Sequence, residues 1–198
     1  MDFFELVKKC RSVRRFDNSN PVSSELLEKI AAPVRFSPSS RNLQPLKFYL
    51  CADQKLCREI RPATKWGAQL ENYNGPEPDE DPTGYIAICL DTDISENEAM
   101  FTRDVGICAE LLVMSAAAEG VGACMIGSFN RSVVSRLFGL GDKIKPMLVL
   151  ALGYPSPHEN IILEDESEEH GVTYYRTPDG AHHVPKRKTE NIIFNIGE

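Results

Sequence analysis

Between Met100 and Glu119 the chain spells a helix that is apolar on nearly every side. Ile107, Ala109, Leu111, Leu112, Val113, Met114, Ala116, Ala117 and Ala118 leave it little polar surface. A surface helix carries one apolar stripe, whereas a helix apolar all round is central and packed by protein on every side. A membrane span needs about 18–20 continuous apolar residues. The best run here, Leu111 to Ala118, contains Ser115 and ends against Glu119. Gly120 closes the helix as its cap. The remaining chain must therefore wrap layers around a buried helix.

The other elements are legible around it. A short helix is expected over Asp2–Cys10, with Phe3, Phe4, Leu6 and Val7 near one face. Pro21 and Ser23 introduce another that carries Leu26, Leu27, Ile30 and Ala31. Helical character runs from Gln54 to about Leu70, broken at Pro62, and again over Ser132–Leu140. Buried strands are expected at Phe48–Leu50, Tyr85–Leu90, Val121–Ile126 and Met147–Leu152. The alternation predicts one α/β or α+β domain over residues 1–198, long enough to bury about 70% of its unfolded surface. Residues 72–84 read as a surface excursion, one that covers a site. Glu164–Glu169, with five acids in six residues, reads as a solvated loop. Ile192, Ile193, Phe194 and Ile196 are too apolar for a free tail and call for a partner surface.

Charge narrows the function. Lys and Arg number 22 against 29 Asp and Glu, a net charge of −7, which argues against a general nucleic-acid binder. A small anionic ligand held by a few local cations remains compatible. The first residues lack the layout of a signal peptide, so a cytoplasmic location is expected. The six cysteines are scattered singly with no CxxC, as reduced core thiols would be. No metal site is expected, since His182 and His183 would point to opposite faces of a strand.

Three segments carry chemistry. Arg11-Ser12-Val13-Arg14-Arg15-Phe16 places three arginines and a serine within five residues, a local anion site in which Ser12 and Arg14 share a face on a strand. The bland alternative is a solvated basic turn. Ser37-Pro38-Ser39-Ser40-Arg41-Asn42-Leu43-Gln44-Pro45 is a loop of hydroxyls, amides and free N–H groups, suited to gripping a flat heteroaromatic by its edges, or an ordinary turn. Gly120 to Ser128 is a strand ending in a small-residue turn, where backbone can approach a ligand closely. It matches neither the dinucleotide fingerprint nor a phosphate loop.

Together these segments are similar to the FMN-dependent nitroreductase-like flavoproteins. The likeness extends to Glu119-Gly120-Val121-Gly122, Ile126-Gly127, Leu150 to Pro155 and the basic Pro185-Lys186-Arg187, in order along nearly the whole chain. The resemblance implies an α+β three-layer sandwich, a central mostly antiparallel sheet with flanking helices, in a domain-swapped homodimer with FMN at each of two shared sites. It implies that Arg11, Ser12 and Arg14 hold the phosphate and the pyrimidine edge. Pro38, Ser39, Ser40 and Asn42 come from the other subunit to line the ring. Ile126, Gly127 and Ser128 pass beside the isoalloxazine, and Lys186 and Arg187 close on the phosphate, with Lys188 as the alternative. Three departures stand out: Cys10 in place of the family's first Arg, Leu46 in place of a Trp, and an unmatched stretch from Lys65 to Pro82. Trp66, the only tryptophan, is read as packing the core or a lid rather than stacking on substrate.

The implied activity is ping-pong hydride transfer from NADH or NADPH to a small nitroaromatic, quinone or related acceptor. The flavin carries the redox chemistry and the protein supplies position and electrostatics. No residue presents itself as a separate catalytic group. The rivals are a flavin-binding module without turnover, and the same fold running dehalogenation, ene reduction or flavin fragmentation.

Overall fold

The computed structural model describes residues 2–70 and 73–197. Met1, Glu71, Asn72 and Glu198 lie outside the described residues, Asn72 being the first of the expected excursion. Helix α1 (Phe3–Lys9) is followed by α2 (Ser24–Ala31), which the Ser23 hydroxyl caps by accepting the Leu26 N–H at 3.1 Å. Strand β1 (Leu46–Cys51) leads to α3 (Gln54–Ile60), capped in the same way by Asp53. Then come β2 (Gly84–Asp91), α4 (Glu98–Ala118), β3 (Gly122–Ile126), α5 (Arg131–Leu137) and β4 (Ile144–Gly153). Asn97 and Asn130 cap α4 and α5. Each cap satisfies a helix N–H that has no partner inside the helix, and is worth about 1 kcal/mol.

The four strands form one antiparallel sheet in the order β1-β2-β4-β3. Its register shifts after Ile88, where Cys89 pairs with Pro146, a residue with no N–H to give to the ladder. Tyr85 to Leu90 are fully buried on both faces of β2, because helices cover both sides of the sheet. On one side Leu27 and Ile30 of α2 and Val105, Leu112 and Ala116 of α4 pack on Ile86, Ile88 and Leu150. On the other, Cys57 and Ile60 of α3 and Val134 of α5 pack on Tyr85, Val149 and Ala151, with Phe16 and Trp66. The result is the expected three-layer α+β sandwich. Trp66 belongs to the core, its Nε1–H donating to Thr64 Oγ1 at 2.8 Å.

Four expectations need correction. Helix α4 is not packed by this chain on every side. It lies in an outer layer with one face on the sheet, so Ile107 is 44% exposed and Leu111 and Met114 only half-buried. Its end is as expected: Gly120 (φ +75) donates to Ala117 O and Val121 to Ala116 O, the paired bonds that a left-handed glycine permits. The helical stretch after Gln54 stops at Ile60 with a 3-10 turn over Arg61–Ala63, and Thr64 then pairs across to Phe129. The serine loop contains a 3-10 turn, Ser40–Asn42.

The acidic stretch, finally, is not simply a solvated loop. Strand β5 (Ile161–Asp165) enters a second sheet with β6 (Tyr175–Arg176) and β7 (His182–Lys186), in the order β5-β7-β6. Its acids have partners: Glu164 meets His183 Nδ1 at 2.9 Å, and Glu166 takes Arg187 and Asn191. As strand geometry requires, His182 faces inward and His183 the other way. Among the described residues the apolar tail is uncovered, Phe194 being 75% exposed. No helix among the described residues is long and apolar enough to cross a membrane.

Candidate functional site

Past α1 the chain runs beside β3. Ser12 pairs with Ala123, and the Val13 N–H donates to Ala123 O at 3.0 Å. Val13 and the fully buried Phe16 point into the core, whereas Ser12 and Arg14, two apart on the extended chain, share the opposite side. That side opens into a cavity of about 350 Å³, within the range of small-molecule sites. Arg11, Ser12 and Arg14 line it from the start of the chain, and His182 and Lys186 of β7 from its end. Met125 and Ala123 of β3 and Glu110 of α4 complete the wall.

Its electrostatics are unbalanced. Burial and the neighbouring Arg11 guanidinium hold the Lys186 ammonium below its ordinary pKa. Arg14 Nη1 lies 3.0 Å from His182 Nε2, and its guanidinium stands over the Tyr174 ring at 5.1 Å. Arginine has no acceptor, so His182 Nε2 must accept, and the ring proton sits on Nδ1. Burial first, then Arg14 and Arg176, push His182 down to about 4, so it is neutral at physiological pH. The Nε atoms of Arg11 and Arg14 are buried without a partner. Glu110 is the only acid on the wall among the described residues, and its Oε1 lies 3.8 Å from Cys10 Sγ. Burial and that carboxylate raise the Cys10 thiol to about 11, so it stays protonated. A cavity with crowded cations and spare donors suits an anion rich in oxygens.

The other expected site residues fall in three places. Ile126, Gly127 and Ser128 continue β3 just beyond Met125. Ile126 is buried, Gly127 and Ser128 are exposed, and Ser128 O accepts the Lys65 N–H at 2.9 Å. Arg187 does not reach the cavity; it turns away to Glu166 at 3.3 Å. Lys188 lies past the end of β7, at the start of a 3-10 turn, and is not among the residues that line the cavity. Arg15 also points away, to Glu80 at 3.5 Å and His158 O at 3.0 Å. The expected excursion does not line the cavity; it reaches the back of the same segment through Tyr73, which packs on the core and whose hydroxyl donates to Arg14 O at 3.1 Å.

Pro38 and Ser39 line a different cavity, of about 470 Å³, with Ser40 and Asn42 on the same loop. Its wall includes Asp104 and Cys108, on one flank of α4, whereas Glu110 and Val113 on the other flank line the cationic cavity. Within one chain, then, the serine loop and the cations do not meet. Asp104, only 3% exposed, accepts from Ser39 Oγ at 2.7 Å, Ser40 N at 2.9 Å and Ser40 Oγ at 2.8 Å. Burial raises its pKa, but the hydrogen bonds outweigh burial and the net shift is downward. The loop is strained as well: Arg41 (φ 54), Asn42 (φ 56) and Gln44 (φ 50) are all left-handed, a conformation that costs non-glycine residues about 1–3 kcal/mol each.

Sequence reasoning overlooked His182, Tyr174, Met125 and Asp104 as site residues. Only Asp104 carried a signal, as an acid beside the sheet-facing positions 101, 105 and 112 of an apolar helix.

An antiparallel α+β sandwich with an anion-ready cavity beside an outer strand defines the class of protein. The sequence profile of the Nitroreductase family matches residues 7–83 and 85–154. The chain belongs to the nitroreductase family of oxidoreductases. It is 24% identical over 160 residues, 79% of this chain and 78% of the relative, to a protein of Methanothermobacter thermautotrophicus named as an NADH dehydrogenase/NAD(P)H nitroreductase. A Parabacteroides distasonis protein of the same designation superposes with a TM-score of 0.67 at 22% identity, over 98% of both chains. An FMN-dependent nitroreductase of Clostridium difficile R20291 superposes with a TM-score of 0.62 at 18% identity, over 78% of this chain and 88% of that one.

Proposed function

We propose that this chain, as one domain over residues 1–198, is an FMN-dependent oxidoreductase. It takes hydride from NADH or NADPH and passes it to a small nitroaromatic, quinone or related acceptor in the same cleft. The observation that carries this reading is the meeting of Arg11, Ser12 and Arg14 with Lys186 in one cavity, where the cations outnumber the one lining carboxylate, Glu110. Arg11, Ser12 and Lys186 would hold the phosphate. Arg14, fixed by His182 and Tyr174, would meet the pyrimidine edge. A fixed guanidinium there favours negative charge that develops on that edge. Ile126, Gly127 and Ser128 would flank the ring. When bound, FMN supplies the hydride relay between the two substrates.

The active unit is a homodimer. Pro38, Ser39, Ser40 and Asn42 lie across α4 from the cations of their own chain, so a second chain must bring them to the ring. The exposed Ile192, Ile193, Phe194 and Ile196 supply apolar surface for that association. A cytoplasmic setting suits six unpaired thiols. The deciding experiment is an absorbance spectrum of the purified protein, taken anaerobically before and after NAD(P)H. A flavin spectrum that bleaches supports the reading, and a colourless protein that fails to take up FMN refutes it. Flavin that binds yet never bleaches would favour a binding module without turnover.

A further inference from the structure

We propose that Asp104 is a positioning residue that sets both the shape and the hydrogen-bond polarity of the loop formed by residues 37–45. The inference rests on that loop contacting the flavin of a second chain, and adds what each hydroxyl can offer there. An ionised carboxylate only accepts, so the hydroxyl hydrogens of Ser39 and Ser40 are both committed to Asp104. Ser39 Oγ also accepts the Gln44 N–H at 3.0 Å, which ties the two ends of the turn together. Ser40 Oγ retains only lone pairs, so it meets a ligand as an acceptor. Its complement is a ring N–H such as the imide of a flavin, and a carbonyl oxygen would be refused. The same carboxylate anchors Ser39 and Ser40 beside three left-handed residues, of which only Asn42 is of a type that favours that conformation. Asp104 is carried on α4, whose other flank lines the cationic cavity of its own chain, so one helix serves two sites.

Asp104→Asn keeps the size but presents one donor and one acceptor, which turns a serine hydroxyl around. The test reads amide hydrogen exchange of residues 39–44 in flavin-free protein, and the FMN dissociation constant by fluorescence titration. Exchange at Ser40 and Gln44 should accelerate, and FMN binding should weaken by about 2–10-fold, as for loss of one neutral hydrogen bond. Ser40→Ala should also weaken binding. If Asp104 acts through that hydroxyl, the double variant should lose no more than the worse single variant. Unchanged exchange and affinity in a folded Asp104→Asn protein, or losses that multiply in the double variant, would overturn the proposal. Should Asp104→Asn fail to fold, Ser39→Ala/Ser40→Ala removes the two hydroxyl bonds and the acceptor of the Gln44 N–H from the loop side, and unaltered exchange at Gln44 there overturns it equally. The exchange measurement needs no flavin, so it judges Asp104 even if the protein takes up no FMN.

Discussion

Replacing Lys186 with Met separates what this residue does for the fold from what it does for a ligand, because the two effects have opposite signs. Burial and Arg11 hold the Lys186 ammonium below its ordinary value of 10.5. A lysine with a lowered folded pKa binds its proton less well folded than unfolded. Its charge therefore destabilises the fold at neutral pH, and the penalty is relieved as pH rises through the folded value towards 10.5. Met keeps the apolar stem and removes the charge. The backbone is unaffected, since Lys186 O would still accept the Glu166 N–H at 2.8 Å. Flavin-free Lys186→Met should melt no lower than wild type. With FMN the sign reverses, because a charge-assisted bond to phosphate is worth about 1.5–3 kcal/mol, or roughly 10–150-fold in Kd. At FMN a hundredfold above the wild-type Kd, wild type gains about 2.7 kcal/mol, whereas a variant weakened a hundredfold gains only about 0.4 kcal/mol. For a chain of this size that gap separates the melting temperatures by about 5–9 °C. Paired thermal melts with and without FMN check the order. A variant that melts lower without flavin, or one that FMN raises as much as wild type, refutes the reasoning.

Arg14→Ala should weaken FMN retention by roughly tenfold or more, as for loss of a charged hydrogen bond. Arg15→Ala should leave retention near wild type while lowering the melting temperature, since Arg15 serves Glu80 and His158 O. Equal flavin occupancy of the two after dialysis contradicts this placement. His182 is about 4 in the fold against an ordinary 6.5, so it stabilises the fold above 6.5, and that contribution is lost as pH falls towards 4. His182→Gln should flatten the fall in melting temperature between those limits, and an unchanged pH slope would show that other groups govern it. Deleting residues 189–198 should shift the protein towards monomer in sedimentation velocity, and a truncated chain that remains a stable dimer removes the tail from the interface.

What could be read from the sequence was what repeats locally. β2 and α4 stood out as long apolar runs, and Ser23 announced α2 by its own capping chemistry. The three-layer arrangement came through the family resemblance, and the two cores then bear it out. The second sheet escaped notice because its order comes from side chains distant in sequence. Tyr175 is stacked between His170, 3.9 Å away, and His183, 4.7 Å away, and β6 is only two residues long. Composition marked the basic tail but could not sort it, whereas pairing with β5 sends Lys186 into the cavity and Arg187 out to Glu166. Asp104 stood out as an acid on an apolar helix, but its role was not readable, since its partners Ser39 and Ser40 lie more than sixty residues earlier.

The misread face of α4 connects these results. Around the helix, Phe101, Val105, Leu112 and Ala116 face the sheet, with Asp104 and Cys108 on one flank and Glu110 and Val113 on the other. The ridge between the flanks, Ile107, Leu111 and Met114, is the part left open. In the proposed dimer that ridge is where the second chain packs, and the all-round apolar composition then has its explanation in the assembly. On that reading each chain would hold the charge half of one site and the ring half of another. Flavin affinity should accordingly follow dimer concentration, because ligand held by both chains stabilises their association by the same linkage that holds the ligand. A monomer keeps Arg11, Arg14 and Lys186 but loses Ser40, and with it the one acceptor that Asp104 orients.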